Sequence, residues 1–294
     1  MLSKKFNSPL IAFNSEDYIF KKWNYIEKKQ EQSLFFKLFL HHLKKTYDKL
    51  YSSNGKFIYL TDSLRIEYLK KYPNHDNFVI YNSTQIIKNS AYNKNGIILY
   101  SGNLGVGRDA VLIKLSEMIY KIFEKKVTVC SLSQDASILN EIKNCEFIDF
   151  LGKVNYEENL NLLKSASMIL HVESMNEYYK NDTKNAFSTK IADCLSSGVP
   201  FFVLASKSSA VYKYLKDNDC AFVCSNFDDA FLELNEIKNF HDYRISKVEK
   251  AFEIACKHCS LSCPTAAPGC KTRVLQPKLD VRLSSPANAF LAKS

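Results

Sequence analysis

The chain has 294 residues, 46% of them hydrophobic and 24% charged, with a mean hydropathy of −0.22; this is the composition of a soluble globular protein with interior enough for one large or two ordinary domains. No stretch approaches the roughly 20 apolar residues that a membrane-spanning helix needs, and the run after Met1 to Phe6 is broken at Asn7 and Pro9, which argues against a secretory signal and for a cytoplasmic protein. The net charge of +9 comes mainly from lysine scattered among Asn, Tyr and Ile, a pattern that speaks against a nucleic-acid groove and for attraction to an anionic lipid surface or a lipid-phosphate acceptor.

Pro9 to Phe13 reads as a first strand, Lys56 to Leu60 as a second and Asn77 to Tyr81 as a third. Between the first two, Ile26 to Leu50 mixes lysine with Leu34, Phe35, Phe36, Leu38, Phe39, Leu40 and Leu43. That segment is either a membrane-surface helix or a core helix whose lysines snorkel at its edges.

From Gly96 onward strand and helix alternate regularly. Gly96 to Tyr100 is a buried strand, and Asp109 to Phe123 a helix with Val111, Leu112, Leu115, Met118, Ile119 and Ile122 on one face. Strands follow at Val127 to Cys130 and Phe147–Ile148, with a short helix over Ala136 to Ile142 between them. Asn155 and Glu158 form a capping-box pair ahead of the helix carrying Leu160, Leu163 and Ala166. Met168 to Val172 is the next strand, Ser188 to Ser197 a helix, Val199 to Leu204 a strand that is apolar throughout, Ser208 to Lys216 a helix and Cys220 to Val223 a strand. Continuous apolar strands are buried on both faces, and helices of this length between them make right-handed βαβ units; the expected fold class is α/β with a doubly wound parallel sheet.

Four segments carry chemistry. The glycines of Gly102-Asn103-Leu104-Gly105-Val106-Gly107-Arg108 lie between a strand and a helix, where backbone can approach a pyrophosphate and Arg108 can bond it bidentately; the bland alternative is a tight βα turn. Their order is not the Gly-x-Gly-x-x-Gly of a dinucleotide fold, and no ribose-binding acid follows the next strand, which argues against a dehydrogenase. Phe150-Leu151-Gly152-Lys153-Val154 is a loop before a helix, and His171 and Glu173 stand at a strand's carboxyl end, where open α/β sheets bind ligands. His171 is either a structural histidine or a sugar contact. In Ser188-Thr189-Lys190-Ile191-Ala192-Asp193, hydroxyls and a lysine open a helix, a carboxylate follows one turn on, and Gly198-Val199-Pro200 leads into the strand. Such a terminus favours a phosphate. Asp217-Asn218-Asp219 has the Asp-x-Asp form of metal-dependent transferases but reads as turn chemistry.

Of nine cysteines, Cys130, Cys145, Cys194, Cys220 and Cys224 sit singly in expected strands and helices, as small hydrophobes in a reducing compartment. Cys256, Cys259, Cys263 and Cys270 form a C-x2-C-x3-C-x6-C run with metal-like spacing. From Cys259 the composition shifts to Pro, Ala, Ser and Arg without strand or helix period, so residues 259–294 are expected to be a disordered, compositionally foreign tail rather than a metal module.

Together these segments resemble the GT-B fold glycosyltransferases that build bacterial surface polysaccharides. The resemblance is mainly to the C-terminal donor-binding domain, expected here over residues 93–258. It implies a partial, acceptor-side, Rossmann-like domain over residues 1–92, with the chain starting part-way through that domain. It implies a nucleoside diphosphate sugar as donor, no cofactor or metal, and a saccharide or lipid-linked acceptor, handled in the cytoplasm or at the inner face of the membrane. It further implies that Gly102, Asn103, Leu104 and Arg108 lie at the donor phosphates and that Gly152, Lys153 and Val154 read the base; His171 and Glu173 are the candidates for the sugar, Glu173 in place of the family's own sugar-contacting Glu. Ser188, Thr189 and Lys190 would hold the diphosphate and Asp193 the ribose. Asp193 replaces the family's usual Glu, and Asn185 stands eight residues earlier, where many relatives carry the first Glu of an E-x7-E motif, the one that contacts the sugar. No catalytic base is identified, and a non-catalytic nucleotide-sugar-binding remnant is the alternative.

Overall fold

The computed structural model describes residues 10–15, 17, 34–53, 55–74, 76–84 and 93–259. Strands β1 Ile11–Asn14, β2 Lys56–Tyr59 and β3 Asp76–Val79 pair in parallel in that order, with helices α1 Leu34–Tyr51 and α2 Asp62–Lys71 between them. The core of this half is aromatic: Tyr51 lies with its ring centroid 4.9 Å from both Phe57 and Tyr68, and Tyr59 lies 5.2 Å from Tyr68. Thr61 starts α2 by accepting the Leu64 N–H at 3.1 Å, which satisfies a donor that a helix start would otherwise leave bare.

The second half runs β4 Ile97–Ser101, α3 Arg108–Phe123, β5 Val127–Cys130, α4 Ala136–Asn144, β6 Ile148–Gly152, α5 Tyr156–Ser165, β7 Ala166–Val172, α6 Glu177–Thr183, α7 Ile191–Ser196, β8 Phe201–Leu204, α8 Ala210–Asp217, β9 Phe222–Cys224, α9 Phe227–Asn239 and α10 His241–Ile254. A π-helical turn, Ala255–Cys259, follows α10. The six strands form one all-parallel sheet in the order β6-β5-β4-β7-β8-β9. This is a doubly wound order, which reverses direction between β4 and β7.

Strand alternation explains why these strands are apolar at consecutive positions. Ile98, Tyr100, Met168, Leu170, Val172, Phe202 and Leu204 pack on one face with Leu112, Leu115 and Ile119 of α3 and Leu234 and Ile237 of α9. The intervening Leu99, Ile169, Phe201 and Val203 pack on the other with Leu195 of α7, Val211 and Leu215 of α8 and Ile254 of α10. Each such side chain contributes about 1.5–3 kcal/mol when taken out of water, so both faces demand large apolar residues.

Several expectations shift in detail. The helix expected from Ser188 begins at Ile191, with Ser188 to Lys190 in a turn before it, because the Ser188 carbonyl accepts the Ile191 N–H at 3.2 Å in a non-α pattern. Ala166 opens β7 instead of closing α5, β6 runs on to Gly152, and the last strand is Phe222–Cys224. Helices α6, α9 and α10 were not singled out from sequence. The capping box is formed, with Asn155 Oδ1 accepting the Glu158 N–H at 2.9 Å and Glu158 Oε2 accepting the Asn155 N–H at 2.7 Å. Asp217 to Asp219 is a turn: Asn218 Nδ2 donates to the Tyr214 carbonyl at 2.8 Å and Asp219 is left-handed at φ 51°. The expected helix over Ile26 to Leu50 is described from Leu34. Residues 260–294 lie outside the described residues, and of the cysteine run only the Cys256 side chain is described.

Among the described residues, no helix is long and apolar enough to cross a membrane.

Candidate functional site

A cleft of about 1180 Å³ opens over the carboxyl ends of both sheets. Ser15, Leu60, Asn82 and Ser83, which follow β1, β2 and β3, line it from the first half. The second half contributes Ser101, Gly102 and Asn103 after β4, Ser131 to Asp135 after β5, Val154 to Tyr156 after β6, and His171 and Glu173 at the end of β7. The turn Ser188 to Lys190 and Asp193 of α7 complete the wall. This is where a doubly wound sheet gathers ligand-binding loops, at its switch point.

Of the thirteen residues that the resemblance assigns to the donor, ten line the cleft: Gly102, Asn103, Arg108, Val154, His171, Glu173, Ser188, Thr189, Lys190 and Asp193. Three do not. Leu104 is 0% exposed and belongs to the core against α3. Gly152 ends β6 with φ 77° and its carbonyl accepts the Ser131 N–H at 3.0 Å, while Lys153 beside it is exposed.

The glycine loop is shaped by its own hydrogen bonds. The Gly102 N–H goes to the Cys130 carbonyl at 3.0 Å, the Gly105 N–H to Asn103 Oδ1 at 2.8 Å, and the Tyr100 hydroxyl donates to the Asn103 carbonyl at 2.7 Å. Gly107 turns the chain into α3 at φ 75°, and a Cβ there would lie 2.8 Å from Ser174 Oγ. Only glycine fits that left-handed, crowded position.

Arg108 is carried into the cleft by the first residue of α3, and there it meets Glu173. Its Nε and Nη2 donate to Glu173 Oε2 at 3.0 and 2.7 Å, while His171 Nε2 lies 3.1 Å from Oε1. Glu173 is 1% exposed. Burial pushes its carboxyl up, but the His171 hydrogen bond and the charges of His171 and Arg108 outweigh this and hold it below the ordinary value. Two of the cleft's three cationic or potentially cationic side chains are thus organised around one buried carboxylate.

Lys190 is the other. Its Nζ donates to Ser101 Oγ at 3.0 Å, and burial pulls its ammonium below the usual lysine range. Asp193, one turn on, accepts a hydrogen bond from Thr84 Oγ1 of the first half. Burial pushes the Asp193 carboxyl up, opposed by that hydrogen bond and by Lys190. Asn185 does not reach the cleft: it is buried, and its Nδ2 donates to Asp17 Oδ2 at 3.1 Å.

The halves meet around this site. Besides Thr84 with Asp193, Lys184 Nζ pairs with Glu67 Oε1 at 2.5 Å. The Tyr81 ring stacks on His258 at 5.7 Å and lies tilted 4.6 Å from Tyr214 and 5.7 Å from Phe187, and the Tyr214 hydroxyl is 2.9 Å from His258 Nδ1. Burial, then the Lys257 charge, lower the His258 pKa.

Sequence reading passed over Ser101, Ser131, Ser133, Gln134, Tyr156, Asn159 and Thr84, all of which border the cleft or hold a residue that does. The β5–α4 loop could have been found, since a loop at the carboxyl end of a doubly wound strand faces the ligand. Thr84 and Asn159 carry no local signal.

No family model matches the sequence, and no curated protein matches it. Solved structures match its fold. A glycosyltransferase from Rickettsia africae superposes with a TM-score of 0.59 at 14% identity, over 88% of this chain and 75% of that one. Anabaena HepE in complex with UDP-glucose gives 0.58 at 12% identity, over 88% and 70%. WaaG, a glycosyltransferase involved in lipopolysaccharide biosynthesis, gives 0.55 at 13% identity, over 86% and 75%. The fold is that of the GT-B glycosyltransferases, two parallel α/β sheets with helices.

Proposed function

We propose that this chain is a glycosyltransferase that takes a sugar from a nucleoside diphosphate sugar and passes it to a saccharide or lipid-linked acceptor in surface polysaccharide synthesis. The observation that carries the reading is the cleft itself, which sits at the switch point of a doubly wound sheet and brings ten residues from four separate motifs to one wall. Fold alone hosts many functions; the argument rests on what those residues offer. Lys190 presents positive charge where a leaving diphosphate gathers negative charge, with Arg108 on the same cleft paired to Glu173, and preorganised charge of this kind lowers such a barrier without calling on a metal. Asp193 is set to accept ribose hydroxyls once Thr84 yields or shares its hydrogen bond.

A non-catalytic remnant is the less favoured reading, because the first half supplies Ser15, Leu60, Asn82 and Ser83 to the opposite wall. An acceptor in or at a lipid surface is supported by α1. Leu34, Phe35, Leu38 and Phe39 are exposed at its start, up to 82% for Phe35, and the rows Leu34-Leu38 and Lys45-Lys49 continue along the same face. Apolar residues followed by lysines suit an anionic membrane surface at the cytoplasmic side.

Calorimetry with UDP-glucose, UDP-N-acetylglucosamine and GDP-mannose tests the proposal. One of them is expected to bind the full chain, with Asp193→Ala losing about 2–3 kcal/mol through its hydrogen bonds to the ribose. Absence of binding by every nucleotide sugar and nucleoside diphosphate would remove the proposal.

A further inference from the structure

Glu173 is walled in by the residues it organises, and that enclosure says how it acts. His171 and Glu173 stand two positions apart at the carboxyl end of β7, so strand alternation sends both side chains to the same face. The sheet fixes both backbones: His171 is in register with Val203 of β8, and the Glu173 N–H goes to the Leu204 carbonyl at 2.9 Å. Glu173 Oε2 takes the two Arg108 donors and Oε1 takes His171 Nε2 at 3.1 Å, with 2% of the Glu173 side chain left exposed. Almost none of its surface remains for a ligand.

What the carboxylate does instead is decide the chemistry of its neighbour. Its carboxyl is held below the ordinary value, so it is ionised at neutral pH and only accepts hydrogen bonds. Nε2 of His171 must therefore carry a proton, and in the neutral ring the other nitrogen, Nδ1, is an acceptor. Among the described residues Nδ1 has no hydrogen bond, and it is not sealed away from solvent. His171 lines the cleft with 15% of its side chain exposed. Lys190 and Arg108 bring only N–H donors to this wall, and the Asp193 carboxylate is engaged by Thr84. Nδ1 is thus a point where a hydroxyl can give its proton. An ionised diphosphate has no proton to give, whereas a sugar hydroxyl has.

We propose that Glu173 is a positioning residue, which touches no part of the donor and fixes the His171 tautomer so that Nδ1 accepts a hydroxyl of the sugar. The inference rests on the nucleotide-sugar reading above for the identity of the hydroxyl, and on the Glu173 contacts for the direction of the hydrogen bond. It separates two residues that the resemblance assigned to the sugar together: His171 is the contact, and Glu173 sets its polarity.

Glu173→Gln is the informative variant, because an amide has one accepting and one donating end. Arg108 only donates, so it holds the amide oxygen, and the NH2 is left facing His171. Nε2 must then accept, the ring proton moves to Nδ1, and the cleft nitrogen changes from acceptor to donor with the shape preserved. Long-range proton–nitrogen NMR spectra of the full chain read the tautomer at a pH of about 9, well above the ordinary imidazole value of about 6.5, and the His171→Phe spectrum identifies the signals. The proton is expected on Nε2 in the parent and on Nδ1 in Glu173→Gln. Calorimetry then compares UDP-glucose, UDP-N-acetylglucosamine and GDP-mannose, each beside its own nucleoside diphosphate. For the sugar that the cleft accepts, His171→Phe is expected to weaken the nucleotide sugar about fivefold relative to its diphosphate. Glu173→Gln shifts that ratio in the same direction, and the double variant is no worse than His171→Phe, as for residues that act through one another. A purely structural carboxylate would move the melting temperature and leave both the tautomer and the ratio alone. His171→Phe keeps the Arg108–Glu173 pair, so with the parent's tautomer it tests the proposal even where Glu173→Gln does not fold. The proposal is overturned if the parent carries the proton on Nδ1 or on both nitrogens, if a folded Glu173→Gln keeps the parent's tautomer, or if His171→Phe weakens sugar and diphosphate alike. In that last case the nucleotide-sugar reading stands without it, and a chain that binds none of the probes loses both.

Discussion

Glu173→Ala is expected to cost about 3 kcal/mol of stability. The carboxylate is 1% exposed and receives two hydrogen bonds from Arg108 and one contact from His171, while the Arg108 side chain is itself only 15% exposed. Removing one partner of a buried pair costs about 3–5 kcal/mol because the other charge is left without compensation. Arg108 lines the cleft and can recover some water, which places the value at the lower end. For a folded unit of this size, about 2–4 °C of melting temperature is lost per kcal/mol, so the midpoint should fall by roughly 6–12 °C. The double variant Glu173→Leu with Arg108→Met removes both charges together and should return to within about 1 kcal/mol of the parent. Glu173→Gln, which keeps the shape and one acceptor, should lie between. Urea unfolding of the four proteins reads all of this directly. The pH dependence has a definite sign: the folded carboxyl is held below its ordinary 4.5, so its contribution is fully present above that value and is lost as pH falls through the lower folded value. A Glu173→Ala protein as stable as its parent, or a double variant that suffers the sum of both single losses, would show that the pair is not the coupled unit described.

Lys190→Met should stabilise the chain slightly, because a half-buried ammonium that burial disfavours is replaced by an apolar side chain of similar length, and should reduce nucleoside diphosphate affinity at least tenfold; denaturant melts and calorimetry on one preparation check both directions. The folded ammonium gives up its proton below the ordinary 10.5, so the parent's disadvantage relative to Lys190→Met is expected to shrink as pH rises toward that value. Phe35→Asp with Leu38→Asp should abolish flotation with vesicles containing phosphatidylglycerol while leaving the melting temperature unchanged, since both side chains are already exposed; retention on the vesicles would remove α1 as the contact. Asn155→Ala, which breaks the capping box at the start of α5, should cost about 1 kcal/mol, read as a melting shift of roughly 2–4 °C.

What the amino-acid order determined by itself is whatever depends on near neighbours. The apolar runs at Ile97–Tyr100, Met168–Leu170 and Phe201–Leu204 pointed to strands covered on both faces, the Asn155 and Glu158 pair to a helix start, and the glycines of 102–107 to a turn between strand and helix. Each rests on residue types within about four positions of one another, and in these three places the assembled fold agrees with that local preference. The general location of the cleft followed as well, because strand and helix alternation leads to a parallel sheet whose carboxyl ends gather the loops. The partners inside that cleft were decided by the tertiary structure alone. Arg108 could be recognised as a cation for a phosphate, but only the adjacency of β4 and β7 sets it on Glu173, 65 residues away. Asp193 could be recognised as a carboxylate under a nucleotide, but Thr84, 109 residues distant and in the other half, holds it. Leu104 reads as part of a phosphate loop and is core, since the turn at Asn103 and Gly105 directs its side chain inward against α3. Asn159 stands on a helix whose pattern marks it as neither core nor site, and its place beside Ser101 and Lys190 exists only once three strands and two helices have packed. Hydrogen bonds and charges act over a few ångströms of space, and the distance in space between residues far apart in the chain is a property of the assembled sheet.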